Sequence, residues 1–233
     1  MSSLRSRARF AGVLYLLMGI PGAFNIQYIP AAVLVRGDAA ATARNITSGE
    51  LMYRMAILSG LLNAIAWVFL VVSLYELLKD VDRTQARLMV LFVSAAVAIG
   101  LANLASQIAP LILLSGADFL SVFTRPQLEA LALASLRLNS NGNYLAMAFW
   151  GLWLFPFGVL VMKSRFFPRI LGVLLIIGCF AYLTVSFTGL VFPAHSRIVN
   201  QVALPFYAIG EVAMVLWLLV RGARMPPQES LSS

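Results

Sequence analysis

The last apolar run of the chain, Val202 to Val220, reads VALPFYAIGEVAMVLWLLV and carries one charged residue, Glu211, close to its middle. A run of this length crosses the hydrocarbon core of a bilayer, about 30 Å thick, as one helix. An acid at that depth costs roughly 2.5–3.5 kcal/mol even on lenient insertion scales, so it needs a partner or a task.

The rest of the sequence agrees with lipid as the solvent. Of 233 residues, 61% are hydrophobic and 11% charged, whereas soluble domains run near 25% charged. The formal net charge is +8. The basic residues sit at the ends of apolar runs, with no basic stripe interleaved with aromatics, so they read as topology signals and contacts to anionic lipid head groups. Nucleic acid is not an expected partner. A single cysteine, Cys179, excludes an intrachain disulfide and a thiol metal site.

Outward from the last run, five more spans are expected, giving spans at about 10–35, 51–78, 88–114, 144–162, 170–192 and 202–220. The first follows a basic segment (Arg5, Arg7, Arg9), which is also how a signal peptide begins. The stretch is long, however, and Pro21-Gly22-Ala23 is a poor cleavage site, so it is expected to stay. Asp38 or Thr42 is placed to cap a short helix, and Asp82 with Gln85 fits a capping box at the start of the third span. Ser94, Ala98, Ala102 and Ser106 form a small-residue stripe suited to close helix approach. Residues 115–143 read as the longest connector. Within it Thr124-Arg125-Pro126-Gln127 starts a short helix over 126–138, too short to span. The tail from Arg221, with Arg224, Pro226 and Pro227, reads as polar and frayed.

The expected fold is therefore all-α: a polytopic six-helix membrane bundle, one domain over 1–233, with a short extra helix in the outer connector. An even count of spans puts both termini on one side. That side holds eleven of the 17 Lys and Arg residues and the other six, so the positive-inside bias expects both termini in the cytoplasm. Arg9-x-x-Gly12-Val13-Leu14 and Arg169-x-x-Gly172-Val173-Leu174 match at the starts of two spans. The match does not extend, and it reads as a shared way of starting a helix.

Several segments are similar to a bacterial membrane family known as domain of unknown function 4386. They are Arg9-x-Ala11-Gly12-x-Leu14-Tyr15-Leu16, Leu74-Tyr75-x-Leu77-Leu78-Lys79, Ser164-x-Phe166-x-Pro168-Arg169-Ile170-Leu171-Gly172-Val173-Leu174, and Gly210-Glu211 followed by Leu216-Trp217-Leu218-Leu219 and Gly222. The resemblance covers nearly the whole chain. It implies an all-helical membrane protein in a bacterial cytoplasmic membrane and supplies no catalytic residues.

Polar groups inside the spans are the only candidates for chemistry. Glu211 lies near mid-membrane, Tyr207 one turn away on the same face, Asn25 and Gln27 in the first span, Asn63 in the second, Asn103 and Gln107 in the third. In lipid such groups turn inward and toward one another. The expected site is an outward-facing polar pocket with Glu211 as its floor and Arg54 near its rim, one to two turns above, paired with Glu211 directly or through water. His195 reads as a solvated turn residue, and Tyr15, Trp150, Trp153 and Trp217 as packing or interface anchors. No G-x-S-x-G, phosphate loop or H-E-x-x-H motif occurs. No cofactor or metal is expected. Two functions stay open: a protein that binds or translocates a small polar or cationic ligand, or an accessory or sensory protein with a structural polar core whose partners are membrane proteins and lipids. An intramembrane enzyme is a weaker third.

Overall fold

A computed structural model describes residues 4–223; the tail residues Arg224, Pro226 and Pro227 lie outside them. Among the described residues the chain is helical throughout. The helices are α1 (Leu4–Tyr28), α2 (Ala39–Ser48), α3 (Glu50–Leu78), α4 (Arg83–Leu113), α5 (Arg125–Leu152), α6 (Leu154–Lys163), α7 (Arg169–Val191) and α8 (Ser196–Val220). Six stretches are long and apolar enough to cross a membrane: Leu4–Val33, Glu50–Leu78, Arg83–Leu113, Arg125–Lys163, Arg169–Val191 and Pro193–Val220. The spans pack as a closed ring in chain order, each against the next, with α8 returning to α1.

The outside of the ring is apolar. Ile20, Phe69, Leu91, Phe180 and Ile209 are all more than half exposed, which in water would be an aggregation hazard and in lipid is the favoured state. The protein is a multi-pass membrane protein. Its core is one continuous cluster from Ala8 and Tyr15 through Leu70, Met89, Trp153 and Leu175 to Leu218. A smaller cluster of Ile29, Val33, Ile46, Tyr53 and Leu136 closes the end remote from the termini.

The termini end is held by close approach. A methyl group added at Gly12 would come within 2.9 Å of Leu218 Cβ, so α1 and α8 meet there. Arg9 donates to the Val220 carbonyl at 3.0 Å, satisfying an open acceptor at the end of α8. Gly172 abuts Gly158 in the same way and brings α7 onto α6. The two matching Arg-x-x-Gly segments thus share a feature: a glycine about one turn after the arginine, where a neighbouring helix packs close.

Local signals explain the boundaries. Asp38 caps α2 by accepting from Ala41 N at 2.8 Å, so the short helix expected at Asp38 or Thr42 forms in the connector between the first two spans. Asp82 caps α4 by accepting from Gln85 N at 3.1 Å. Gln85 does not complete the box: its Oε1 is buried without a partner. Pro156 has no N–H for the Leu152 carbonyl and crowds it, which ends α5 at Leu152 and restarts the span as α6.

Two expectations change. Thr124 starts a helix as read, its N–H donating to Gln127 Oε1 at 2.8 Å, but the helix does not stop near 138. It runs on to Leu152, because the polar stretch Asn139 to Asn143, taken for a connector, bonds sideways to α4. The small-residue stripe is also turned away from the core. Ser94, Ala98 and Ala102 are exposed, and α4 packs instead through Ala86, Met89, Val93 and Ala96. Asn103 and Gln107 share that packed face, and their need for partners sets the rotation of the helix.

Candidate functional site

Glu211 sits on α8 just past its midpoint, on the side facing α1 and α7. Its two carboxylate oxygens have separate partners. Tyr15 of α1 donates its hydroxyl to Oε2 at 3.0 Å, and Tyr182 of α7 donates to Oε1 at 2.8 Å. One carboxylate therefore joins three spans. The two phenols are placed by their rings. Tyr15 packs on Trp153, centroids 5.8 Å apart, and Tyr182 stacks on Tyr207 at 4.1 Å with Trp150 edge-on at 6.4 Å. Trp153 lies in turn against Trp67 and Phe157.

Above the carboxylate, in the half of the bundle away from the termini, lies a cavity of about 400 Å³, lined among others by residues from Met18 to Gln27 of α1 and from Leu204 to Val212 of α8. Glu211 and Tyr182 form its floor, and Trp67, Trp150, Trp153 and Tyr207 part of its wall. The volume falls in the range of roughly 300–1,000 Å³ typical of small-molecule sites. The wall holds one carboxylate and no lysine, arginine or histidine.

The amides divide between this cavity and a separate network. Gln27 and Asn63 line the cavity, and Asn63 donates to the Met18 carbonyl at 2.8 Å. Asn25, Asn103 and Gln107 lie instead around a neighbouring space of about 50 Å³. There Asn25 and Gln107 exchange hydrogen bonds at 2.8 and 3.2 Å. Gln107 donates to Asn139 Oδ1 at 3.2 Å, Asn103 donates to Asn143 Oδ1 at 2.8 Å, and Asn139 donates to the Asn103 carbonyl at 3.1 Å. Asn63, Gly22 and the rings of Trp67 and Trp150 separate the two spaces.

The pocket read from the sequence is thus corrected in two respects. Arg54 is not at its rim: it pairs with Glu50 one turn away on α3 at 2.7 Å and is largely exposed. A guanidinium near a helix end finds water and a local acid, and has no reason to descend toward mid-membrane. Three of the amides, Asn25, Asn103 and Gln107, bond α1, α4 and α5 to one another and make no bond to Glu211. Tyr207 lines the cavity as expected, with its hydroxyl turned to Asn200 Oδ1 at 3.2 Å.

The family comparison covers residues 10–222, described as Domain of unknown function (DUF4386). The chain belongs to this family. Comparisons with curated proteins and with solved structures gave no match. The DUF4386 match takes in every membrane span, and with them Glu211, its two phenols and the whole cavity wall.

Four residues of the two polar centres escaped the sequence reading of this DUF4386 chain: Tyr15 and Tyr182 as carboxylate donors, and Asn139 and Asn143 as amide partners. A usable signal existed for Tyr182. A phenol in the middle of an apolar span needs an acceptor, and Glu211 is the only acid at that depth.

Proposed function

We propose that this is a protein of a bacterial cytoplasmic membrane, with both termini in the cytoplasm, that binds or translocates a small polar or cationic ligand through an outward-facing pocket with Glu211 at its floor. One observation carries the reading: a carboxylate oriented by two phenols closes the bottom of a cavity of about 400 Å³ whose wall offers it no basic residue. An intramembrane acid is expensive, and partners that only orient it leave its charge for something else to meet. The excess of basic residues on the termini side supports the orientation.

The structural reading applies to the other centre. Asn25, Asn103, Gln107, Asn139 and Asn143 bond to one another across α1, α4 and α5, as interhelical glue at about 0.6 kcal/mol a bond.

Two measurements test the pocket. Ala208 lines it, so Ala208→Cys in a Cys179→Ala background should react with a water-soluble maleimide added from outside the cell. A screen of polar and cationic solutes against purified protein should find some that raise Tm in wild type and not in Glu211→Gln, by the mass-action stabilisation expected of a native-state ligand. No labelling of the Ala208→Cys variant, or solutes acting equally on wild type and Glu211→Gln, would overturn the reading.

A further inference from the structure

The cavity also specifies the chemistry of its ligand, an inference that rests on the ligand-binding reading above. The two phenols donate to Glu211 as neutral groups, one to each oxygen. An ionised carboxylate has about four lone-pair sites, so each oxygen keeps acceptor capacity. With no lysine, arginine or histidine in the wall, the positive charge that balances Glu211 in its ionised form comes from the cavity.

A metal ion fits this poorly. Hard divalent cations take six or more oxygen ligands, usually several of them carboxylates. Here a single carboxylate shares the wall with two phenols, the amides of Gln27 and Asn63, and otherwise indoles and aliphatic side chains. Among the described residues no group of three His, Cys, Asp or Glu gathers anywhere. A bare ion would also leave most of about 400 Å³ unfilled.

An organic cation fits on both counts. Trp150 and Tyr207 both pack on Tyr182, the phenol that bonds the acid, and Trp67 and Trp153 pair with each other in the same wall. Ring faces are negative and attract a desolvated ammonium group, tryptophan most strongly. Met18, Met147, Leu204 and Val212 add apolar surface to the wall and suit an apolar body. We propose that the cavity binds an organic monocation of ammonium type, its nitrogen at Glu211 and its apolar part against the rings of Trp150 and Tyr207. The ammonium belongs either to a free amine or to an aminophospholipid reaching in between α1 and α8.

The test uses the full chain in dodecyl maltoside, which contains no amine. Phenyltrimethylammonium is titrated beside its neutral isostere tert-butylbenzene, with calorimetry or tryptophan fluorescence as readout. The ammonium should bind saturably and at least tenfold more tightly than the isostere. Glu211→Gln should erase that preference. Trp150→Leu keeps an apolar side chain but removes a ring face, and should weaken the ammonium by at least fivefold more than it weakens the isostere. Added phosphatidylethanolamine that competes identifies the lipid as the source, and absence of competition identifies a free amine; either supports the ammonium class. Equal affinity for ammonium and isostere in wild type overturns the proposal and needs no variant to fold. Neutral polar solutes that bind wild type but not Glu211→Gln, with no ammonium binding, overturn the ammonium class and leave the pocket standing. An unreactive position 208 removes both.

Discussion

Asp82 divides its carboxylate between two tasks. Oδ1 accepts from Gln85 N at 3.1 Å and caps α4, while Oδ2 accepts from Lys163 Nζ at 2.6 Å and ties the end of α6 to it. The Lys163 ammonium, joined by the Gln85 amide, holds the Asp82 carboxyl below the usual carboxylate range. A depressed folded pKa stabilises the protein above the unfolded value of about 3.9 and stops doing so as pH falls through the lower folded value. The difference in Tm between wild type and Asp82→Asn should therefore be full at neutral pH and close below about pH 4. A difference that stayed constant through that range would show that the ion pair contributes nothing. The cap was legible in the sequence because it acts within three residues of chain. The bond to Lys163 spans 81 positions and was not. Glu211 was legible for a different reason: a charge in the middle of an apolar run stands out whatever surrounds it. Its donors were hidden, since Tyr15 and Tyr182 are counted with the hydrophobic residues and read as packing aromatics, and their hydroxyls matter only once the acid is beside them.

At the scale of elements, the seam between α4 and α5 shows what hydropathy leaves out. Residues 139–143 are too polar to read as part of a span, yet they are helical, because α4 presents Asn103 and Gln107 at the same height and the two sets of amides satisfy each other. Gly142 makes the approach close enough: a methyl group there would collide with the Asn103 amide. Gly142→Ala should then displace Asn103, and overpacking of this kind costs about 1–3 kcal/mol. Gly100 lies on α4, one turn from Asn103, and a methyl group there meets nothing within 4 Å. Gly100→Ala should leave stability unchanged or raise it, by up to about 1 kcal/mol. Unfolding in mixed micelles with increasing dodecyl sulfate separates the two cases, and equal effects would place the seam elsewhere. Span number and most span limits were available from composition, Pro and caps. Helix rotation was not. The exposed Ser94, Ala98 and Ala102 stripe and the buried amide face differ by about one residue of register, and only the partners on α1 and α5 decide between them.

For the whole molecule, closure of the ring and orientation in the membrane are linked. The described chain ends meet: a methyl group at Gly222 would lie 3.0 Å from the Arg5 carbonyl oxygen, and Arg9 bonds the last turn of α8. Both ends therefore emerge on one face, as an even number of crossings requires. The short links between α3 and α4 and between α6 and α7 lie on that face, and among the described residues they, the chain ends and the adjoining helix ends carry ten of the 16 basic side chains. Positive-inside bias acts on short loops near span ends, where these charges sit. A fluorescent protein fused after Ser233 should fold and fluoresce, and alkaline phosphatase fused there should stay inactive. Phosphatase inserted after Gly116, in the connector between α4 and α5, should be active. Active phosphatase after Ser233 would invert the bundle and turn the cavity toward the cytoplasm. It would leave the contacts of Glu211 untouched and change which compartment supplies the ligand.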